Sequence, residues 1–368
     1  MTLRCRRRLP RRLPNSVATN HVQEESRSTA PSSSRTSIEG THLEVSALTK
    51  PHWSRRLNLS RFDPRDAIVY ISFAVLFLIF AITLRGDGFL SETNLVNIVN
   101  QTVPVALMAC AFVFVLSSGE IDLSIGATVA LTSLVTAEAL HTSLLVGILA
   151  GLGCGLGIGL LNGLAVTLIR IPSFLVTLAS MSLVTGLAQS IHSLQSISVN
   201  NEAFNTAFGS GSVGPFSTAV IWLVGGVIVA YVAFHQSRFG AHIRATGDNR
   251  GAAQSAGIRV NRVRVAALAL SGLAAGLAGM LDAGSLQTAT YTFGTTDLLT
   301  VIAAVIIGGT SLFGGRGTII GALFGSLLLG MLANALILMG LSVPQQSIAL
   351  GVLILLAVAF GRDREGSS

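Results

Sequence analysis

The chain has a single lysine, Lys50, and a proline follows it. A nucleotide-binding loop of the form G-x-x-x-x-G-K-[ST] needs a lysine after its glycines to reach the phosphates, so this chain does not hydrolyse ATP by that route. Charge of both signs is scarce: Asp, Glu, Lys and Arg make up 11% of the 368 residues, against about 25% in an average soluble domain. A soluble protein of this length cannot cover its surface with so little charge. The three cysteines, Cys5, Cys110 and Cys154, have no metal-type spacing, and two lie in apolar runs where cysteine behaves as a small hydrophobe. Neither a disulfide nor a metal site is expected. The seven histidines form no H-E-x-x-H pattern and no i,i+4 pair, so the metal hydrolases that need those arrangements are excluded. Acids within the apolar runs are few: Glu138 and Asp282 lie toward segment ends, and Glu120 and Asp122 at an edge. An ion-coupled carrier would be expected to hold such groups at mid-membrane.

What the chain does have is hydrophobicity. Ten apolar segments can be marked, near 66–84, 99–117, 123–141, 144–168, 172–192, 217–235, 263–282, 297–313, 317–338 and 343–361. Roughly 20 apolar residues cross the hydrocarbon core as a helix, so the pattern predicts an all-α polytopic membrane protein with about ten transmembrane helices. The third and eighth segments are interrupted by polar or glycine-rich motifs, which leaves the count at nine or ten. Residues 66–362 form this membrane domain, followed by a short cytoplasmic tail, 363–368.

Thirteen of the 24 Lys and Arg residues fall within residues 1–65. That segment is Ser- and Arg-rich with no apolar periodicity, and reads as a disordered, basic cytoplasmic arm. Its two aromatic residues, Trp53 and Phe62, lie near its end and none falls in the arginine cluster at 4–12, so nucleic acid is not expected as a partner. No apolar stretch follows the first arginines closely enough for a signal peptide. Arginine placement also sets orientation. With both termini cytoplasmic, Arg170, Arg316, Arg362, Arg364 and the six arginines between Ser237 and Arg264 all fall inside, and only Arg85 lies in an outer loop.

The stretch from Ser237 to Arg264, "SRFGAHIRATGDNRGAAQSAGIRVNRVR", is thus a polar cytoplasmic island, too polar to span and too long for a simple turn. It reads as a chain break at Gly247-Asp248-Asn249 followed by a short helix. Asn249 offers a cap to the free N–H groups, and Asp248 suits the positive end of the helix dipole. Ala252, Ala253 and Ala256 give a small-residue face, and Gly257 supplies a left-handed stop. A short exposed helix of this kind suits docking into a groove of another protein; an ordinary inner loop obeying the charge rule is the alternative.

In the fourth segment Gly147, Gly151, Gly155, Gly159 and Gly163 recur every four residues, and Gly321 and Gly325 repeat the spacing in the ninth. Such stripes let helix backbones approach closely in a membrane. Asn162 and Asn334 are polar groups inside helices, costly unless paired or facing water, and are candidates for lining or bracing a pathway. In "GEIDLSIG", Asp122 reads as a cap for the third helix; Glu120, Asp122 and Ser124 alternatively gate an inner mouth. In "GGTSLFGGRG", Arg316 anchors the inner side while the glycines break the helix.

Together, "SSGEIDLSIGA" (Ser117–Ala127), "LNG" (Leu161–Gly163), "IPSFLVTLASM" (Ile171–Met181), "FGAHIRATGDNRGAAQSAGIRV" (Phe239–Val260) and "IIGGTSLFGGRGTIIGALFG" (Ile306–Gly325) resemble, in order and spacing, the inner-membrane permease subunits of carbohydrate ABC importers of the ribose, xylose, arabinose and galactose type. The resemblance covers about Asp66 to Arg362. It implies a homodimeric permease in the bacterial inner membrane, a separate cytoplasmic ATPase, often a tandem-domain chain, that binds the ATP, and an extracytoplasmic sugar-binding protein. It places the ATPase-coupling segment at 237–262, with Ala245, Gly247, Asp248, Asn249, Ala252, Ala253 and Gly257 facing the partner. The sequence departs from the family pattern at Glu120, where a small residue is common, and at Asp248, where glycine often stands. Permeases for branched-chain amino acids or nucleosides, and an ion-coupled carrier, are the other readings. Because the basic arm has no apolar periodicity to fold with, removal of residues 1–60 is expected to leave membrane insertion and substrate uptake at the level of the full chain, measured side by side in cells.

Overall fold

The structure, a computed structural model, describes residues 64–342 and 344–352. All of them fall in one compact unit, Leu59–Ser368. The basic arm up to residue 63, the end of the tenth apolar segment and the tail 363–368 lie outside the described residues.

The described residues are helical almost throughout. In order it forms α1 (Pro64–Thr83), α2 (Glu92–Ser117), α3 (Ile125–Leu140), α4 (Leu144–Leu164), α5 (Ser173–Ile191), the strand β1 (Ile197–Ser198), α6 (Glu202–Asn205), the hairpin β2 (Ser212–Val213) and β3 (Phe216–Ser217), α7 (Thr218–Tyr231), α8 (Arg238–Asp248), α9 (Arg250–Ser255), α10 (Val260–Leu286), β4 (Thr288–Ala289), α11 (Asp297–Ile307) and α12 (Ile319–Leu338). Wider turns continue α4 to Ile169 and α7 to Gln236. Among the described residues six helices are long and apolar enough to cross a membrane, and three shorter apolar stretches accompany them. The protein is an all-α polytopic membrane protein.

Helix starts follow local chemistry. Ser91, Ser143, Ser237 and Thr318 each accept a backbone N–H from the first turn of the helix they precede, at 3.1–3.3 Å. Those amides have no partner within the helix, and in a low-dielectric setting they would otherwise be costly. Within α3, the hydroxyls of Thr128, Thr132 and Thr136 each return to the carbonyl four residues back, at 2.7–2.8 Å. The helix therefore buries polar side chains without leaving them unpaired.

α10 lies at the centre, packed on α4, α3 and α2, while α12 packs on α2, α11 and α1. The α4 glycine stripe faces this core: Gly147, Gly151, Gly155, Gly159 and Gly163 are all buried. A Cβ at Gly155 would strike the carbonyl of Gly272, one at Gly159 the carbonyl of Leu268, and one at Gly163 the backbone of Val265, all on α10. Gly147 and Gly151 meet Leu140 and Thr136 of α3 instead. Gly321 and Gly325 bring α12 equally close to the carbonyls of Gly308 and Ala304, at α11. The opposite face of α4, with Leu145, Leu149, Leu160, Leu161 and Leu168, is exposed, as an apolar face turned toward lipid would be.

Two connections near the island are unwound rather than helical. One is 118–124 between α2 and α3; the other is 308–318 between α11 and α12. The second is tied to the last residue of α2, next to the first, where the Gly315 amide donates to the Ser117 carbonyl at 3.0 Å. The other end of the bundle is tied by β1 pairing antiparallel with β4, and by Phe204, Phe208 and Trp222, whose rings stack in series at 4.9 and 5.2 Å.

Gly155→Val drives a branched side chain into an α10 carbonyl and is expected to cost about 1–3 kcal/mol or more. Gly153→Val, where nothing lies within 4 Å, is the matched control and is expected to leave stability unchanged or slightly raised. Thermal unfolding of the two variants in detergent measures the difference.

Candidate functional site

The island is built by two short helices. α8 is anchored by aromatic and cationic contacts. Phe114 of α2 packs edge-on against Phe234 and stacks with Phe239, at 5.1 and 5.9 Å between ring centroids. The Arg244 guanidinium sits over the Phe234 ring at 5.1 Å and donates to the Phe234 carbonyl. Ile243 and Thr246 are buried beneath the helix. α8 continues through Gly247 and Asp248, and only Asn249 leaves helical geometry, at φ −152° and ψ 105°. The break expected across Gly247-Asp248-Asn249 is therefore confined to Asn249. Gly247 is required for space, not for turning: a Cβ there would strike the Ser117 carbonyl and the Gly315 amide. Asp248, as a helical residue outside the left-handed region, needs no glycine-like freedom.

α9 is capped as its sequence implies. The Asn249 side-chain oxygen accepts the Ala252 N–H at 3.0 Å. Gly257 is left-handed at φ +82°, and the Gly257 and Ile258 amides close back on Gln254 and Ala253 at 3.0 Å, a standard glycine stop. Ala252 and Ala256 are exposed, but Ala253 is 4% exposed and faces inward. The small-residue face thus comprises two alanines rather than three. Asp248, Asn249 and Gly257 are exposed; Ala245 and Gly247 are half-buried.

Beside the island, residues 118–124 carry a buried polar network. Gly119 turns the chain at φ +75°. Glu120 is 1% exposed, and its Oε1 accepts from Arg250 Nη2 of α9 at 2.6 Å and from Arg264 Nε of α10. The Ile121 amide donates to Ser173 Oγ at 3.0 Å, and its carbonyl accepts from Thr177 Oγ1 at 3.2 Å, so the first turn of α5 grips the loop. Asp122 Oδ1 accepts from the Ser124 amide and hydroxyl at 2.9 and 2.6 Å, and Oδ2 from Ser271 Oγ of α10 at 2.7 Å. Asn162 of α4 donates to Ser124 Oγ at 2.9 Å. Asp122 does not cap α3 as expected: Ser124 holds the N-cap position, with no side-chain cap bond. Asp122 instead folds the loop onto itself and ties it to α10.

Glu120, Asp122, Ser124 and Asn162 are thus brought together, but Asn334 is not. It lies near the far end of α12, exchanging two hydrogen bonds with Asn94 at 2.9 and 3.1 Å. That pair satisfies both amides and joins α12 to α2. Arg250, Arg264, Ser173, Thr177 and Ser271 complete the network and were not legible as site residues. Arg264 and Ser271 are seven apart on α10, hence on one face, but nothing in the local sequence says which loop that face meets. Asn162 also borders a groove of about 730 Å³ between α4 and α5, lined mainly by aliphatic side chains and Ser180. Cys110 and Cys154 are free thiols.

This arrangement holds a charged loop at the meeting point of four helices and an exposed helical island. It suits mechanical linkage better than bond-breaking chemistry. A family model described as branched-chain amino acid transport system / permease component matches residues 94–358. The chain is similar to the ribose import permease protein of Escherichia coli (strain K12), 37% identical over 304 residues, or 79% of this chain and 92% of that protein. It is similar to the ribose import permease protein of Bacillus subtilis (strain 168), 37% identical over 291 residues, 78% and 90% of the two chains. The L-arabinose transport system permease protein of Escherichia coli (strain K12) is 33% identical over 299 residues, 80% and 90% of the two chains. No solved structure matches.

Ser271→Ala removes a donor from the buried Asp122 carboxylate and is expected to destabilise the protein by about 1–3 kcal/mol. Ser182→Ala, at an exposed hydroxyl of α5, is expected to change little. Both are read from unfolding midpoints in detergent.

Proposed function

This chain belongs to the family of branched-chain amino acid transport system / permease components, and on that premise we propose that it is the membrane-spanning subunit of an ATP-binding-cassette importer for a sugar, a pentose such as ribose. The observation that carries the sugar reading is the similarity, over most of both chains, to permeases named for ribose and L-arabinose. The protein is a multi-pass protein of the bacterial inner membrane. It is a translocation subunit: ATP is bound and hydrolysed by a separate ATPase, of tandem-domain type, and substrate arrives from a soluble sugar-binding protein. Two copies pair around the pathway, each with ten transmembrane helices and both termini in the cytoplasm. The three shorter apolar stretches and the helical residues 344–352 support that count when added to the six long spans.

The island is the ATPase-docking element. Asp248, Asn249, Ala252 and Gly257 offer the exposed surface, while Gly247, Ala245 and Ala253 brace it from within. When the ATPase domains close, the island moves as a lever and the helices attached to residues 118–124 shift between inward- and outward-facing arrangements. Glu120, Asp122, Ser124 and Asn162 stabilise the inner end of that pathway. Selectivity rests largely with the binding protein, so the aliphatic lining of the groove beside Asn162 is compatible with sugar transport. The family's description favours branched-chain amino acids as the second reading.

In proteoliposomes containing the permease, its ATPase and its binding protein, labelled ribose uptake is expected to require ATP. Excess leucine should not compete, and an ion gradient without the ATPase should not suffice. Uptake driven by an ion gradient alone would overturn the class. Ala252→Trp, at an exposed position, should lower ATP-driven uptake about tenfold, as a clash of ~1.4 kcal/mol at the docking surface would. Normal uptake by that variant would remove the docking assignment.

A further inference from the structure

We propose that Glu120 and Arg250 form the tension-bearing link through which motion of the island reaches the membrane helices, with Arg264 as its fixed anchor. The proposal rests on the reading of the chain as an ATP-driven permease, and it adds residues for which the family resemblance assigns no role.

The Glu120 carboxylate is 1% exposed. Burying an ionised carboxylate is costly unless opposite charge and hydrogen bonds offset it. Here two guanidinium groups converge on the same oxygen, and they differ in setting. Arg264 is rooted in the central helix α10, and its side chain is 13% exposed. Arg250 opens α9, and its side chain is 49% exposed. The bond to Arg250 is therefore the more screened of the two and the easier to break and remake. Arg250 also donates to the Gly119 carbonyl at 2.9 Å, so one guanidinium holds both backbone and side chain of the loop.

α9 is short and stopped at both ends, by the Asn249 cap and by left-handed Gly257. As its first residue, Arg250 moves with it. On the other side of the link, Ile121 is held by α5, and Asp122 and Ser124 by α10 and α4. A displacement of α9 thus reaches α5, α10 and α4 through Glu120, Ile121, Asp122 and Ser124. The loop is fastened to α10 twice, by Glu120 to Arg264 and by Asp122 to Ser271. Those α10 residues are two helical turns apart, about 10 Å, which fixes the loop in angle as well as in position.

The island has a second contact with the same region, Gly247 against the Ser117 carbonyl and Gly315. That contact is steric. It resists compression and transmits a push, but nothing in it resists separation. The ion pair supplies the opposite property, holding when α9 is drawn away. α8 is separately held to α2 by Phe239 stacked on Phe114, so the ion pair is what ties α9 itself to the loop when α9 is drawn away.

The test is the number of ATP molecules hydrolysed per sugar imported, measured in proteoliposomes with the assembled importer. This ratio is independent of how much protein folds. Arg250→Gln is expected to raise it about tenfold, within the usual range for coupling between sites. Arg250→Lys keeps the charge but not the planar fork, and should restore part of the loss. Because Glu120→Gln leaves Arg264 without its buried partner and lowers yield, the decisive comparison is Glu120→Gln with Arg250→Gln against Arg250→Gln alone. Equal ratios support one shared link; a further multiplicative rise overturns it. An unchanged ratio in Arg250→Gln, in a preparation where Ala252→Trp lowers uptake, overturns the link and leaves the transporter reading standing. Absence of ATP-driven uptake by the wild-type assembly overturns that reading itself.

Discussion

Gly155 of α4 and Gly272 of α10 meet backbone to backbone, each blocking a Cβ on the other. In lipid there is little hydrophobic gain from bringing two helices together, since the surrounding tails are as apolar as the side chains. Close van der Waals contact between backbones replaces it. Gly159 and Gly163 extend the seam toward the island, where Arg264 emerges from the same helix α10 that carries Ser271. The arginine and the serine face residues 118–124 only because this seam sets the rotation and depth of α10. The polar network is in that sense a consequence of the glycines.

The network is the other unusual feature of the interior. A carboxylate sits at 120 and another at 122, each almost fully buried, and every hydrogen bond described for them goes to a different structural element or back to the loop. Such clusters are unforgiving. Fully satisfied, they specify one arrangement; partly satisfied, they leave an exposed cost that packing cannot recover. A transporter that alternates between two arrangements can use that property, because a cluster with few acceptable geometries favours discrete states over gradual deformation. The seam between α4 and α10 supplies the rigid side of such a switch, and the half-exposed Arg250 the adjustable side.

Much of the architecture was readable one segment at a time. Each apolar run from 66 to 338 has a helix at its place; the eighth run breaks into the unwound stretch 308–318, whereas the third holds one unbroken helix and the unwound stretch 118–124 precedes it. The α4 stripe, the Asn249 cap and the Gly257 stop were likewise legible, because each depends on spacing or on a residue's own side chain within one turn. Where the structure departs from the local reading, the cause is shared. Gly247, expected within a chain break, is a spacer, because the carbonyl it accommodates belongs to Ser117. Ala253, expected on the exposed face, is buried by packing beneath α9. Asp122, expected to cap α3, reaches Ser271, 149 residues away. Asn334, a candidate for lining or bracing a pathway, has its partner in Asn94, 240 residues away, which nothing in its own neighbourhood indicates.

The amino-acid sequence by itself determined the membrane class, the positions of the apolar helices, the small-residue seams and the local form of the island. Hydropathy, i,i+4 spacing and capping act over a few residues and need no partner to be recognised. Which polar groups meet was decided only by the tertiary structure. A hydrogen bond or ion pair depends on the separation of two atoms to within a few tenths of an ångström, and here that separation is set by the rotation of whole helices about their glycine contacts. Glu120 carries no mark in its own neighbourhood of the two arginines, 130 and 144 residues later, that neutralise it.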